Sequence, residues 1–213
     1  MLIKSEIQLG PILKELTQEQ IKNETMLFNC SYNFAAQIGG LGTQQFLQNL
    51  PLELQNNNTI IDSRVHMLMP DWYPCIPGYH HDDVPRERLD GQPEYTNPSY
   101  RSKHALVLYN GDICPTEFAI GTSYFTEPTT HKIVYKNWHK EVISKITNRD
   151  LEVVEAPNNQ IVYFNDRTWH QGTNTVKSGW RLFIRASWNT SRVATNETRK
   201  QVQVYMNNPM QGW

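Results

Sequence analysis

The spacing of apolar residues divides the chain near residue 60. Before it, Ile12, Leu13, Leu16 and Ile21 fall roughly on one stripe behind Pro11, so residues 11–24 read as a helix opened by the proline. Gly39, Gly40 and Gly42 interrupt the chain ahead of a second short helix, Gln44 to Leu50, which Pro51 ends. Asn56, Asn57 and Asn58 form a polar turn, and after it the period becomes two. Val65, Met67 and Met69 alternate with Arg64, His66 and Leu68 as in a strand; the methionines read as core packing and His66 as a satisfied core histidine. His104 to Asn110, Pro115 to Tyr124, Leu151 to Glu155 and Gln160 to Asn165 continue the strand pattern. Between them, Trp138, Val142 and Ile146 recur every four residues and place a helix within 126–150, with His131 and His139 at its surface. Gly179 to Ser187 alternates strictly: Trp180, Leu182, Ile184 and Ala186 share one face, Arg181, Phe183, Arg185 and Ser187 the other.

Many short strands with few helices between them imply a mainly β fold with flanking α-helices, two antiparallel sheets facing each other as a jelly roll. At 213 residues and 24.8 kDa one domain is expected. It divides into a helical N-terminal buttress (1–59), a jelly-roll core (60–190) and a polar tail (191–213) that is partly extended or packed on the surface. Residues 84–103 carry Pro85, Gly91, Pro93 and Pro98 among charges and no period of their own, so they read as a lid or as a solvated excursion.

Composition narrows the partners. Twenty basic against 21 acidic residues leave a formal charge of −1, so long nucleic acid is not expected, because phosphate contacts dominate such binding. No apolar run approaches a membrane span, and Met1 to Glu6 lacks the pattern of a signal peptide. Cys30, Cys75 and Cys114 are odd in number and lack metal-type spacing, which suits free thiols in a reducing compartment; a cytoplasmic protein is the expectation.

The candidate chemistry sits in Pro77-Gly78-Tyr79-His80-His81-Asp82-Asp83 and in Thr168-Trp169-His170-Gln171-Gly172-Thr173. A His-x-Asp pair with one distant histidine is the donor set of the two-histidine, one-carboxylate facial triad of non-haem Fe(II), which leaves open positions opposite. Residues two apart on an extended segment point the same way, so either His80 with Asp82 or His81 with Asp83 can grip an ion beside His170. The first pair is preferred because Tyr79 then falls on the opposite face. Further on, Arg181 and Arg185 share one face of a strand that reads as buried, and buried cations need anionic partners.

Together these stretches resemble the Fe(II)/2-oxoglutarate-dependent oxygenases, in their taurine-dioxygenase-like and phytanoyl-CoA-hydroxylase-like branches. The similarity covers roughly residues 60–190 and rests on the combination: the His-x-Asp pair, Phe164 to His170, and an arginine 11 positions beyond His170 (181 − 170), namely Arg181. It implies the distorted jelly roll called the double-stranded β-helix. It also implies Fe(II) on His80, Asp82 and His170, with 2-oxoglutarate as cosubstrate held through its far carboxylate by Arg181 with help from Thr116. The reaction implied is hydroxylation of a small substrate by O2 with release of succinate and CO2. Arg185, 15 positions beyond His170, corresponds to an arginine that contacts an anionic group of the substrate in taurine-dioxygenase-like relatives. Its alternatives are an internal acidic partner, or a cosubstrate role together with Ser187. Two other classes compete: a cupin-like metal-binding jelly roll with different chemistry, and a catalytically silent binding barrel. The identity of the substrate and the oligomeric state are not written in the motifs.

Overall fold

The computed structural model describes residues 1–127 and 134–206. Strand accounts for 35% of the described residues and helix for 20%, so the protein is mainly β, and its strands pair antiparallel in several sheets. The largest sheet has six strands. β2 (Gln8–Ile12), β10 (Gln160–Asn165), β7 (Lys103–Tyr109), β12 (Gly179–Trp188), β5 (Ile60–Leu68) and β4 (Cys30–Ser31) lie in that order. In the second sheet, β8 (Thr116–Tyr124) pairs with β1 (Leu2–Ser5) through its C-terminal half and with β11 (Trp169–Gly172) and β9 (Glu152–Glu155) through its N-terminal half. His80 extends that sheet by a two-way backbone bridge to His170. Among the described residues no strand pair joins the two sheets. Two short ribbons complete the β structure: β3 (Leu27–Phe28) with β13 (Glu197–Thr198), and β6 (Trp72–Tyr73) with β14 (Tyr205–Met206).

The strict alternation of β12 decides what each face of the large sheet meets. Leu182, Ile184 and Ala186 point outward, join Ile61, Val65, Val107 and Ile161, and are covered by three helices. These are α1 (Gln18–Lys22), α2 (Tyr32–Ile38) and α3 (Leu41–Gln48), which contribute Ile21, Ala35, Phe46 and Leu47. Phe46 is fully buried there, and its truncation to alanine is worth about 3–5 kcal/mol of stability. A fourth helix, α4 (Val134–Thr147), covers the second sheet with Trp138 and Val142 packed against Trp169, Ala119 and Ile3.

Several sequence expectations are corrected. Residues 11–24 are not one helix: Pro11 lies in β2, an edge strand where its missing N–H removes no ladder bond from a second neighbour, and only Gln18–Lys22 is helical. Thr17 and Gln20 form a reciprocal capping box that starts this short turn. The N-terminal 59 residues are therefore not purely a helical buttress, since β1, β2 and β4 join both main sheets. Met67 is 41% exposed, and Met69 is exposed as well, because the helical cover reaches Ile61 and Val65 but not the end of β5. His131 lies outside the described residues.

Candidate metal centre

Two backbone devices aim the His-x-Asp segment. Gly78 takes a φ of +104°, in the left-handed region where a side chain is strained, and an added Cβ would stand 3.4 Å from the His139 ring. His139, in the second turn of α4, accepts the Tyr79 N–H at 3.0 Å, so it is not a free surface residue but a clamp on the segment. His80 then pairs with His170 on β11, donating its N–H to the His170 carbonyl at 3.0 Å and accepting in return at 3.2 Å.

The side chains converge from that bridge. The candidate donor atoms of His80, Asp82 and His170 lie within 4.8 Å of one another. His170 Nε2 is 3.3 Å from Asp82 Oδ2, and His80 Nε2 is 3.9 Å from Asp82 Oδ1. Ligands on one face of a six-coordinate ion with bonds near 2.1 Å stand about 3 Å apart, so small rotations bring this set to coordination distance. The tautomers suit it as well. His80 Nδ1 lies 2.8 Å from the Gly78 carbonyl and His170 Nδ1 lies 2.9 Å from the Thr168 carbonyl. A carbonyl only accepts, so each Nδ1 carries the proton and each Nε2 keeps its lone pair facing Asp82. Burial, then the neighbouring His170, pushes the His80 pKa down, which keeps the ring neutral. Burial opposes ionisation of Asp82, but the Arg185 guanidinium together with His170 and His80 outweighs it and holds the carboxyl well below its usual range. A neutral His80, an ionised Asp82 and the Nε2 atom of His170 make up the two-nitrogen, one-carboxylate donor set that suits a divalent transition metal.

The other parity goes elsewhere. His81 is buried, stacks on Trp169 at 3.6 Å between ring centroids, and bonds Tyr95 Oη through Nδ1 at 2.6 Å. Neither His81 nor Asp83 belongs to the cluster. Tyr95 stands in the long segment 84–102, which contains no helix or strand and contributes no residue to the cavity described next. That segment thus supports the site from behind through Tyr95 and does not line the cavity.

In front of the cluster opens a cavity of about 1140 Å³ between the inner faces of the sheets. Arg181 and Arg185 both face it from β12. Arg181 is 2% exposed, donates to Thr116 Oγ1 at 3.2 Å, and has no acidic partner among the described residues. Burial pushes its pKa down, yet the group remains a cation at neutral pH. Arg185 instead reaches two carboxylates, Asp82 by a short hydrogen bond and Asp62 at 3.7 Å, which is the internal acidic partner left open above. Sequence reading missed Asp62, although an acid inside the apolar run from Ile60 is itself a signal. It also missed the far wall. The polar tail crosses back over the site, and Arg199, Gln201, Gln203 and Tyr205 line the cavity, a placement that no local pattern announces. No protein-family model matches this chain, and no curated protein matches it.

Proposed function

We propose that the chain is a non-haem Fe(II)- and 2-oxoglutarate-dependent oxygenase built on a double-stranded β-helix, hydroxylating a small substrate with O2. The strand orders support this reading of the architecture: β10-β7-β12-β5 in one sheet, and β9-β8-β11 followed by the His80 segment in the other, give the two sets of four that a jelly roll needs. The observation that carries the function is a juxtaposition. A two-histidine, one-carboxylate cluster and a buried arginine without an acidic partner line one cavity. An unpaired buried cation is costly, and a carboxylate held bidentately is the partner that a guanidinium fits best.

His80, Asp82 and His170 would hold the iron, and Arg181 with Thr116 the far carboxylate of 2-oxoglutarate. Bound iron and cosubstrate would supply oxidation of an unactivated C–H bond by O2, with 2-oxoglutarate ending as succinate and CO2. The chain's own part is positional. The Gly78 and Thr168 carbonyls fix both imidazoles, Arg185 keeps Asp82 ionised and oriented, and Phe164 and Phe183 make part of the cavity wall apolar, which helps keep water from the reacting centre. A cupin-like centre without 2-oxoglutarate leaves Arg181 unexplained, and a silent barrel leaves the aligned Nε2 atoms unexplained.

The test is succinate and CO2 release from 2-oxoglutarate with added Fe(II), which such enzymes catalyse weakly without their substrate. Wild type should turn over, and His80→Ala, Asp82→Ala and His170→Ala should each fall to background. A wild type that binds neither Fe(II) nor 2-oxoglutarate overturns the reading; loss in His81→Ala and Asp83→Ala with the other variants active overturns the ligand assignment.

A further inference from the structure

Three residues of β5 face the cavity from one side of the strand: Asp62, Arg64 and His66. Their register on β12 is set by backbone pairing, Asp62 opposite Arg185, Arg64 opposite Phe183, and His66 opposite Arg181. The first row is closed by the Arg185–Asp62 pair, to which Arg192 adds a bond at 2.8 Å. The last row holds Arg181, the seat assigned to the cosubstrate. The middle row is different. Arg64 makes no ion pair among the described residues, and its neighbour His66 is 1% exposed with neither ring nitrogen in a side-chain hydrogen bond.

A second cation approaches this row from the tail. Arg199 lies over Phe28 at 4.1 Å and reaches Asp62 only at 4.0 Å, leaving its Nε without a partner. Burial and then the Arg64 charge push the Arg199 pKa down, and both guanidiniums line the same cavity. The cavity wall as a whole carries five cations (Arg64, Lys136, Arg181, Arg185, Arg199) against Asp62 and Asp82, a formal excess of 5 − 2 = +3. Fe(II) and doubly charged 2-oxoglutarate cancel each other, so the excess persists after both are bound. Beside the cations, Phe183, Leu106 and Phe164 offer apolar surface.

We infer that Arg64, with Arg199 above it, binds an anionic group of the primary substrate, a carboxylate, sulfonate or phosphate monoester carried on a small apolar body. Arg64 and Arg181 are diagonal neighbours across β5 and β12, with Cα atoms about 7–8 Å apart, so each can hold a separate anion. The inference rests on the oxygenase reading for what happens at the Arg181 end, and it moves substrate recognition from Arg185, whose charge the protein itself neutralises, to Arg64.

The experiment is equilibrium binding to the full chain at low ionic strength, with propionate, ethanesulfonate and ethyl phosphate as probes and propanamide as the neutral control, alongside 2-oxoglutarate. At least one acid should bind wild type more tightly than propanamide, and the preferred acid names the group. Arg64→Gln should weaken that acid about tenfold or more while moving 2-oxoglutarate little, Arg64→Lys should retain part of it, and Arg181→Gln should do the reverse. If no acid outbinds propanamide, or if Arg64→Gln weakens 2-oxoglutarate as much as Arg181→Gln does, the inference is overturned. Acid binding that is lost in Arg64→Gln, on a protein that ignores 2-oxoglutarate, would leave the subsite standing and remove the oxygenase reading.

Discussion

Four residues apart on one face of β12, the buried Arg181 and the largely buried Arg185 are partnered in opposite ways. Arg185 stands between Asp62 and Asp82, and Asp62 also accepts from Arg192 and from the Asn29 backbone N–H. Burial works against ionising Asp62, but Arg185 and Arg192 prevail and its pKa is lowered. Arg181 has one neutral hydroxyl, Thr116. The protein has thus compensated the charge nearest the His-Asp-His cluster and left the charge at the other end without an anion among the described residues. A buried arginine is free to bind a ligand only where the fold supplies no anion for it, and of the two on β12 Arg181 alone meets that condition among the described residues.

The largest effects should come from breaking the compensated end. Arg185→Met leaves Asp82 without a cation and Asp62 with one fewer, and it should cost about 3–5 kcal/mol of unfolding free energy in urea titration. Arg181→Met should leave the ligand-free protein as stable as wild type or more so, because it removes a cation that no group neutralises. Equal destabilisation by the two substitutions would mean that Arg181 has an anionic partner within the protein. Next comes the ligand side of the comparison. Arg181→Ala should weaken 2-oxoglutarate by about 2–5 kcal/mol, roughly 30- to several-thousand-fold, and Arg181→Lys should also be impaired because an ammonium lacks the fork. Isothermal titration reads both, and an unchanged affinity in Arg181→Ala removes the assignment.

Acid titration separates the two ends by a smaller amount. His66 lies beside Arg181 and His104 near Arg185; burial above all, aided by those cations, pushes each pKa down to about 3. The unfolded chain protonates both near pH 6.5, so between pH 6.5 and 3 it binds more protons than the folded chain. Stability is therefore complete above about pH 6.5 and falls as pH drops, by about 1.4 kcal/mol per unit for each histidine. His104→Gln should remove one share of that slope. Saturating 2-oxoglutarate should reduce the His66 share by placing negative charge at Arg181, and should leave the His104 share in place; equal changes in both would refute the separation. The smallest effect belongs to Thr116→Val, which deletes one neutral acceptor from Arg181 and should weaken 2-oxoglutarate about three- to tenfold.

Legibility varied with the range of the interaction involved. The alternation of Trp180 to Ser187 foretold both faces of β12, and the four-residue spacing of Trp138 and Val142 foretold the buried stripe of α4, because those patterns are written in consecutive residues. Pro11 misled for a local reason, since a proline suits both a first helical turn and an edge strand, and only pairing with β10 decides between them. His139 read as a surface residue because its partner is the Tyr79 backbone, 60 residues away.

The residue types and spacings alone determined a mainly β chain, a His-x-Asp pair with a distant histidine, and two arginines on one strand face, since these follow from periodicity and from the chemistry of side chains. Tertiary structure decided which parity of the motif converges, because His81 finds an aromatic pocket beneath Trp169 while His80 meets His170 across a backbone bridge. It also decided that Arg185 is neutralised and Arg181 is not, and that the polar tail walls the cavity. The physical reason is the same in each case. A charge or a ring nitrogen acquires its role from whichever group stands within a few ångströms, and for these residues that neighbour lies tens of positions or more away in the chain.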